Sequence, residues 1–551
     1  MSRSILLYFL RTKARLFEKF RVKSISVNGN SSGFSDSLSV FTCHVDPSIS
    51  WKVEGKRATS TWIPVCEQAA SGLLFTSPVQ SRDFQWSAEL ECWGRRKSSQ
   101  TIATLSLNCN QGVDQGVIRL PISGDELFLY YLLAESYSPP KSGCGSPRSV
   151  HLVPVRTRPE TLDKQLDPWP EKVPVLVGHG GAGAHRAHYG GGREWPENTI
   201  CAFRRSEQLG LQMIECDATV TRDCGAVVLH HNFTLGLRSL PRNESFKGRS
   251  FVLDHLRYFY AYPNFPLFVQ ADGPVTKDTK SLIAQYTLEE IRNLLGQASR
   301  NSKPHENDHF VHPKPLAFDD PEPDQDGIDG QPLPELNEAF RRTSTRLGFN
   351  VEMKYPRETL LGRIAHALET GEPVTADLPG PHNYFAQINK FCDKVLDVIW
   401  KNAGSRPVIL SSFNADLCAV LRLKQSNFPV LFITRGGIPS STEPPNMMHV
   451  DLRHCNLPVA LSWAHMMNLS GVVTLGQHFG STPKLHATNE GQINALVADM
   501  QEKQLACLVY GDGVSELSFL KKATGCGLTG VIIDRVESYM QEYFLTMAPS
   551  A

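Results

Sequence analysis

The sequence predicts a TIM (β/α)8 barrel with a hairpin insertion, preceded by a smaller all-β sandwich domain. From Val173 onward, short apolar runs alternate with helical stretches, which is typical of a parallel α/β sheet. Eight such runs can be counted, and eight parallel strands are the number that closes a TIM barrel. Upstream, short stretches alternate polar and apolar residues between turn-forming residues, which indicates antiparallel sheets.

The chain length of 551 residues exceeds one ordinary hydrophobic core and favours at least two domains. Residues 1–35 form a basic segment whose interleaved basic and apolar residues fit a transit peptide or a membrane-surface helix, with a frayed helix as the simpler interpretation. Residues 36–157 form the β-rich domain, and residues 158–172 form a linker rich in proline and charge. The barrel is predicted over residues 173–543.

The tryptophans of the β-rich domain leave its role open, because they could stack on sugar rings or fill a core. They are Trp51, Trp62, Trp86 and Trp93. A glycogen- or starch-like glycan is therefore a candidate partner of this domain.

The predicted barrel strands begin near Val173, Met213, Phe349, Pro407, Pro429, Gly471, Ala506 and Gly530. The apolar run ending at His230 is not one of them, because only residues 221–225 separate it from the run that contains Glu215. Parallel neighbours need a crossover of about a dozen residues. That run is therefore expected to turn back as a hairpin or to leave the barrel. The polar stretch from Ser299 to Gln331 is expected to be a surface loop.

Composition excludes several classes of protein. Lysine plus arginine and aspartate plus glutamate both number 56, so no charge excess indicates a nucleic-acid partner. The thirteen cysteines are scattered without the close pairs of a zinc site, and their odd number favours a reducing, cytoplasmic location. No apolar run approaches the roughly 20 residues that span a bilayer, so stable membrane insertion is not expected.

Charged side chains end two of the predicted strands. Glu215 and Asp217 are two residues apart, as are Glu352 and Lys354, so each pair shares one face of a strand. Converging carboxylates repel one another unless a cation lies between them, and oxygen ligands suit Mg²⁺ or Ca²⁺. Lys354 could hold a phosphate oxygen. An imidazole titrates near neutrality and can transfer protons, which makes the strand-end residues His179 and His230 catalytic candidates.

These residues lie in motifs that resemble, in the same order, those of glycerophosphodiester phosphodiesterases. The motifs are His179-Gly-Gly, Pro196-Glu-Asn-Thr199, Glu215-x-Asp217, Thr221-Arg-Asp223, Val227-Val-Leu-His230, Glu352-Met-Lys354, Ser411-Ser-Phe-Asn-Ala-Asp416 and Gly530-Val-Ile-Ile-Asp534. The chain looks most like the glycerophosphocholine phosphodiesterase subgroup, whose members carry an N-terminal starch-binding-type domain.

The resemblance implies a mechanism. In that mechanism, glycerophosphocholine would be cleaved to glycerol 3-phosphate and choline. The carboxylates Glu215, Asp217 and Glu352 hold one divalent cation, and His179 and His230 act as general acid and base.

Two positions depart from the family pattern. Gly180 stands where the family has an arginine that contacts the phosphate, and His231 stands where it has an aspartate. Losing a charge-assisted contact can weaken transition-state binding by several kcal/mol. Arg435, just past the fifth strand, is one candidate substitute, and a glycine-rich insertion supplies others: His185, Arg186, His188 and Arg193.

Three alternatives to an active diesterase follow. The first is a catalytically weakened or inactive homologue that regulates through ligand or carbohydrate binding. The second is a carbohydrate-associated scaffold. The third is a lysophospholipase-D-like enzyme acting at membranes, which the basic N-terminal segment would suit.

Overall fold

The computed structural model describes the barrel and the strands that precede it. The described residues are 3–10, 17–27, 30–31, 38–44, 63–64, 69–77, 85–94, 100–108, 114–122, 125–140, 152, 174–184, 195–231, 283–293, 333–356, 359, 385–438, 451–482 and 489–547. The predicted linker, the whole predicted loop from Ser299 to Gln331, and Trp51 and Trp62 lie outside these ranges.

Ten strands precede the barrel and form two antiparallel sheets. They are β1 (Arg3–Leu10), β2 (Phe17–Val27), β3 (Asn30–Ser31), β4 (Leu38–His44), β5 (Ile63–Pro64), β6 (Ala69–Ser77), β7 (Gln85–Gly94), β8 (Gln100–Asn108), β9 (Gln115–Ile122) and β10 (Asp125–Glu135). One sheet has the order β4-β6-β1-β10-β9, and the other has the order β3-β2-β7-β8 with β5 paired to β2. The prediction of an antiparallel, β-rich region before the barrel is confirmed.

The described residues Arg3–Leu10 and Phe17–Val27 are strands, so the helical interpretations of the basic segment were wrong there. β1 lies between β6 and β10 in the first sheet, and Ile5, Leu6, Leu7 and Tyr8 are all buried. A strand in the middle of a covered sheet needs apolar residues on both faces, and the run from Ile5 to Leu10 supplies them. In β2, the charges at Lys19, Arg21 and Lys23 alternate with other residues, which is the period of a strand rather than of a helix.

Eight parallel strands close into a TIM barrel, as predicted. They are β11 (Val175–Gly178), β14 (Met213–Val220), β16 (Gly348–Met353), β17 (Val408–Ser412), β18 (Val430–Ile433), β19 (Gly471–Leu475), β20 (Ala506–Tyr510) and β21 (Gly530–Ile533). Neighbours run in the order β11-β21-β20-β19-β18-β17-β16-β14, and β11 pairs with β14 to close the ring. Two short strands, β12 (Gly183–Ala184) and β13 (Trp195–Pro196), pair with each other beside it.

The hairpin insertion is also confirmed. The strand β15 (Val227–Leu229) pairs antiparallel with β14, with Ala218 opposite Leu229. Because β15 runs antiparallel to β14, the chain after Leu229 passes alongside Asp217. The backbone N–H of His230 donates to the carbonyl of Asp217.

Eight described helices accompany the barrel strands. They are α1 (Ile200–Gln208), α2 (Leu336–Arg342), α3 (Ile388–Asn402), α4 (Ala415–Lys424), α5 (Leu457–Met466), α6 (Glu490–Glu502), α7 (Leu517–Gly525) and α8 (Val536–Met547). Asparagine or threonine side chains cap several N-termini, among them Thr199, Asn414, Asn456 and Asn489. These caps explain where the four helices begin.

Alternation along each strand separates two cores. Residues such as Val177, Met213 and Ile409 form a cluster inside the barrel, whereas their chain neighbours pack outward against the helices. Because side chains alternate, the residue two positions after the last inward apolar residue also points inward. It lies at the carboxyl-terminal mouth of the barrel. The fold therefore directs strand-end residues of different strands toward one another.

The first N-terminal sheet packs directly on the barrel helices. The hydroxyl of Tyr130 donates to Asp416 at the start of α4, with 2.8 Å between the oxygens. The hydroxyl of Tyr137 donates to Asp397 in α3 at 2.8 Å. None of the helices in the described ranges is long and apolar enough to cross a bilayer.

Candidate active site

Three carboxylates meet at the barrel mouth. Glu215 and Asp217 lie on β14 and Glu352 lies on β16, with Asp217 directly opposite Glu352 in the parallel register. One carboxylate oxygen from each residue falls within 4.8 Å of the others. The i, i+2 spacing and the parallel register together produce this convergence, which agrees with the arrangement expected from the sequence.

The electrostatic environment of the two acids on β14 differs sharply. Burial and the neighbouring charge of Asp217 raise the pKa of Glu215 well above its ordinary value. Burial also acts to raise the pKa of Asp217, but the charges of Lys354 and His231 lower it well below its ordinary range. Lys354 Nζ lies 2.9 Å from Glu352 Oε1 and 3.3 Å from Asp217 Oδ1. The ammonium therefore already neutralises one side of the acidic cluster.

The donor atoms of the cluster fit a hard divalent cation. Among the described residues, Glu215 Oε1 and Asp217 Oδ1 are buried without a hydrogen bond of ordinary geometry. Buried carboxylate oxygens are rarely left in this state, because desolvating them without compensation is costly. Oxygen-only ligands at this separation are the type that Mg²⁺ and Ca²⁺ bind.

The segment before α1 holds the carboxylate of Asp217 in place. Asn198 receives the backbone N–H of Asp217 on its Oδ1 at 2.9 Å and donates its Nδ2 to Asp217 Oδ2 at 2.8 Å. Asn198 has a φ of 58°, in the left-handed region that asparagine tolerates better than most residues. Thr199 then caps α1 by accepting from the backbone N–H of Ala202. The Pro196-to-Thr199 motif thus combines a turn, a carboxylate clamp and a helix cap.

His179 is held in a defined orientation at the end of β11. Its Nδ1 lies 2.8 Å from Asp534 Oδ1, and its Nε2 lies 3.9 Å from Glu215 Oε2. Burial lowers the pKa of His179, but the hydrogen bond to Asp534 and the charge of Glu215 outweigh it and raise that pKa well above its ordinary value. An ionised carboxylate only accepts, so Nδ1 carries the proton and Nε2 faces the acids.

A second imidazole approaches from the hairpin. His231 Nδ1 lies 3.3 Å from Asp217 Oδ2, and the ring centroids of His231 and His179 are 6.3 Å apart at nearly a right angle. The sequence singled out His230 instead. His230 is half-buried and meets Asp217 through its backbone N–H.

Gly180, at the position of the family arginine, contacts the acidic cluster through its backbone. Gly180 has a φ of 58°, and a Cβ on it would lie 2.7 Å from the Cβ of Glu197. Its N–H donates to Glu215 Oε2 at 3.0 Å. The glycine therefore turns the chain tightly enough to bring a backbone donor to the acidic cluster.

The candidate substitutes for that arginine have different outcomes. Arg435 is half-buried, and its Nε donates to the carbonyl of Ile438 in its own loop at 3.1 Å. The four cationic or imidazole residues of the insertion after Gly183 lie outside the described residues. Lys354 is the cation that directly contacts the acids.

Two residues of the site were not singled out from the sequence. Asp534 ends an apolar run, as Glu215 and Glu352 do, and that shared pattern could have identified it. Asp534 and Asn198 both lie within quoted motifs, but the bond of Asn198 to Asp217 depends on a tertiary approach that no local pattern encodes.

Comparison with known proteins links this geometry to one family. The family model described as the glycerophosphoryl diester phosphodiesterase family matches residues 188–538. A glycerophosphocholine phosphodiesterase of Homo sapiens is 25% identical over 374 residues, which cover 68% of this chain and 45% of that protein. A glycerophosphodiester phosphodiesterase of Arabidopsis thaliana is 25% identical over 372 residues, which cover 66% of this chain and 76% of that protein. The chain thus matches less than half the length of the human relative.

Solved structures with related descriptions also match. An Oleispira antarctica phosphodiesterase in complex with the product sn-glycerol-3-phosphate has 14% sequence identity and a TM-score of 0.36, covering 67% of this chain and 96% of that one. A glycerophosphodiester phosphodiesterase from Agrobacterium tumefaciens has 14% identity and a TM-score of 0.32, covering 67% of this chain and 99% of that one.

Proposed function

Because the chain belongs to the glycerophosphoryl diester phosphodiesterase family, we propose that it hydrolyses glycerophosphodiesters, with glycerophosphocholine as the preferred substrate and glycerol 3-phosphate and choline as products. The observation that carries the proposal is the convergence of three buried carboxylates beside two imidazoles at the barrel mouth. The name of the human relative supports the choice of substrate.

Glu215, Asp217 and Glu352 are the proposed ligands of one divalent cation, Mg²⁺ or Ca²⁺. Such a cation, when bound, supplies Lewis-acid polarisation of the phosphodiester and lowers the pKa of a coordinated hydroxyl. The protein fixes the three ligands through the strand register and through Asn198, which restrains Asp217 with two hydrogen bonds.

Proton transfer is assigned to His179 and to one member of the pair His230 and His231. Asp534 accepts from Nδ1 of His179, so Nε2 exchanges the proton with the reacting oxygen. The described contacts favour His231 as the second imidazole, because its ring contacts Asp217 and faces His179. The sequence motif favours His230.

The grip on the phosphate is assigned to Lys354, with Arg435 as a further candidate at the mouth. Lys354 is nearly buried and lies between two proposed metal ligands. The carboxylates would be shared with a bound divalent cation, and the ammonium of Lys354 would then contact a phosphate oxygen. A lysine acts there as a point charge, whereas the family arginine would bind bidentately.

The alternative of an inactive homologue is less well supported, because the three acids lie together and the rings of His179 and His231 face each other beside them. Purified protein with Mg²⁺ or Ca²⁺ is expected to release choline from glycerophosphocholine. Glu352→Ala should abolish release, and Glu490→Gln, an exposed acid on α6, serves as the matched control. Absence of turnover across a panel of glycerophosphodiesters would refute the proposal.

A further inference from the structure

The acidic cluster of the barrel mouth lies on one arc of the ring, which is called the charged arc. Asp534 follows β21, His179 follows β11, Glu215 and Asp217 lie on β14, and Glu352 lies on β16. These four strands are consecutive neighbours in the barrel. The remaining four strands, β17 to β20, complete the opposite arc.

Two aromatic residues stand on the strands that flank the charged arc. Phe413 follows β17, the neighbour of β16, and Tyr510 ends β20, the neighbour of β21. Both side chains pack against the cluster of apolar residues inside the barrel. In the register between β16 and β17, Glu352 is opposite Ser411, so continuing the register by two residues brings Phe413 beside Lys354. The phenylalanine therefore adjoins the proposed phosphate grip.

The two rings meet across the mouth. Their centroids are 6.4 Å apart and their planes are at 89° to each other. Because β18 and β19 separate β17 from β20 in the ring, side chains of these strands can only touch above the barrel interior. The pair thus forms a corner with two perpendicular faces, and both side chains are only half-buried.

We infer that Phe413 and Tyr510 form the subsite for the leaving alcohol and select a quaternary ammonium group there. This inference rests on the proposed function for its choice of substrate. A diester whose phosphate lies at the acids and Lys354 must direct one of its two alcohols toward the opposite arc. Aromatic faces attract a cation through their quadrupole, so this corner is suited to hold a cationic alcohol.

The aromatic corner also predicts what the subsite rejects. A purely apolar wall would bind a neutral tert-butyl group as well as a trimethylammonium group of the same shape. Aromatic faces add an attraction that depends on the positive charge, on the order of tenfold in affinity for a partly desolvated site. Discrimination between isosteres of different charge that is lost when the rings are replaced is therefore the specific signature of this subsite.

The test uses the full chain and two probes, choline chloride and its uncharged isostere 3,3-dimethylbutan-1-ol, titrated at constant ionic strength by calorimetry or ligand-observed NMR. The wild type should bind choline roughly tenfold more tightly than the isostere. Phe413→Leu and Tyr510→Leu should each bring this ratio close to one, whereas Tyr510→Phe keeps both rings and should keep the preference. Phe544→Leu, at an exposed position on α8, is the matched control and should leave the ratio unchanged.

Thermal unfolding of each variant identifies any that fail to fold, and either leucine variant suffices for the test. Equal affinity for the two probes in the wild type, no measurable choline binding, or a preference that survives both leucine substitutions would overturn the inference. Turnover of glycerophosphocholine and glycerophosphoglycerol is measured in parallel. Discrimination without turnover would reject the proposed function alone, and turnover without discrimination would reject the subsite alone.

Discussion

Asp534, at the end of β21, positions the imidazole of His179 at the end of β11. Parallel pairing of β11 with β21 sets Ile533 opposite Gly178, so the next residues, Asp534 and His179, emerge side by side. The carboxylate fixes both the ring orientation and the proton position of the imidazole. His179 can therefore present Nε2 to the site without sampling the other tautomer.

Asp534→Asn is expected to lower kcat on the order of 100-fold, because an amide can stabilise the wrong tautomer of His179 and cannot stabilise its charged form. KM should change little, since Asp534 is not proposed to touch the substrate. Steady-state kinetics on glycerophosphocholine measures the split. Asp512→Asn, an exposed carboxylate on the following loop of β20, is the control. A rise in KM with unchanged kcat would contradict the positioning role.

The sequence motif and the geometry assign proton transfer to different histidines of the hairpin, His230 and His231. His231→Ala should lower kcat on the order of 100-fold if its ring transfers a proton, and His230→Ala should then lower it by much less. The reason is that the ring of His231 contacts Asp217 and faces His179. Parallel kinetics of the two alanine variants decides the matter, and the opposite order of effects would assign the role to His230.

At the scale of elements, a buried ionic cluster joins the barrel loops to the first N-terminal sheet. Arg453 lies between Asp416 at 2.8 Å and Asp451 at 2.6 Å, and all three side chains are at most 2% exposed. Its guanidinium also stacks 5.5 Å above the ring of Tyr8 on β1. Thr359 donates to Asp451 at 2.7 Å and adds the segment beyond β16 to the cluster.

Arg453→Met is expected to lower the free energy of unfolding by about 3–5 kcal/mol, because it leaves two buried carboxylates without their cation. Equilibrium urea unfolding measures the loss. Arg205→Met removes a partly exposed ion pair with Glu537 and is the matched control, expected to cost less than about 1 kcal/mol. Similar losses in both variants would show that the buried cluster does not contribute more than a surface pair.

The same cluster predicts a pH dependence. Burial tends to raise the pKa of Asp451, but Arg453 outweighs burial and lowers that pKa to about 2. A carboxylate with a depressed folded pKa stabilises the protein above its unfolded pKa of about 3.9 and loses that contribution as the pH falls toward 2. The difference in unfolding free energy between the wild type and Asp451→Asn should therefore shrink by roughly 1 kcal/mol between pH 7 and pH 3. Urea unfolding across this range tests it, and a constant or growing difference would contradict the assignment.

The elements also show where sequence reasoning succeeds. Every barrel strand was predicted, because a strand buried on both faces carries an uninterrupted apolar run and its polar ending marks the mouth. The three acids followed from spacing and strand polarity alone. The strands β1 and β2 were missed because the many basic residues around them masked the continuous apolar run of β1 and the period-2 alternation of β2. Asp534 was missed as a partner of His179 because the two are 355 residues apart, and only barrel closure joins them.

For the molecule as a whole, the junction between the first N-terminal sheet and the barrel resembles a core more than a hinge. The side chain of Asn389 on α3 accepts from the backbone of Glu135 at 3.0 Å and donates to the carbonyl of Leu133 at 2.8 Å. Lys424 on α4, whose side chain is fully buried, donates to the carbonyl of Glu135 at 2.7 Å. Backbone groups of β10 thus depend on barrel side chains for their hydrogen bonds.

This dependence predicts that the sheet and the barrel unfold together. Separating them would leave buried backbone groups of β10 and the polar cluster around Arg453 without partners, each at a cost of about 1–3 kcal/mol. Calorimetry of the wild type should therefore show one transition, and hydrogen exchange should give amides of β1 and β10 protection similar to that of β16. Asn389→Leu removes several junction bonds at once and should lower the unfolding temperature while loosening β10 first. Asn402→Leu, near the end of the same helix, is the control, because its side chain bonds only within α3 among the described contacts. Two separate transitions in the wild type would instead describe an N-terminal module tethered to an independent barrel, and the ionic cluster could not then link the sheet to the barrel loops.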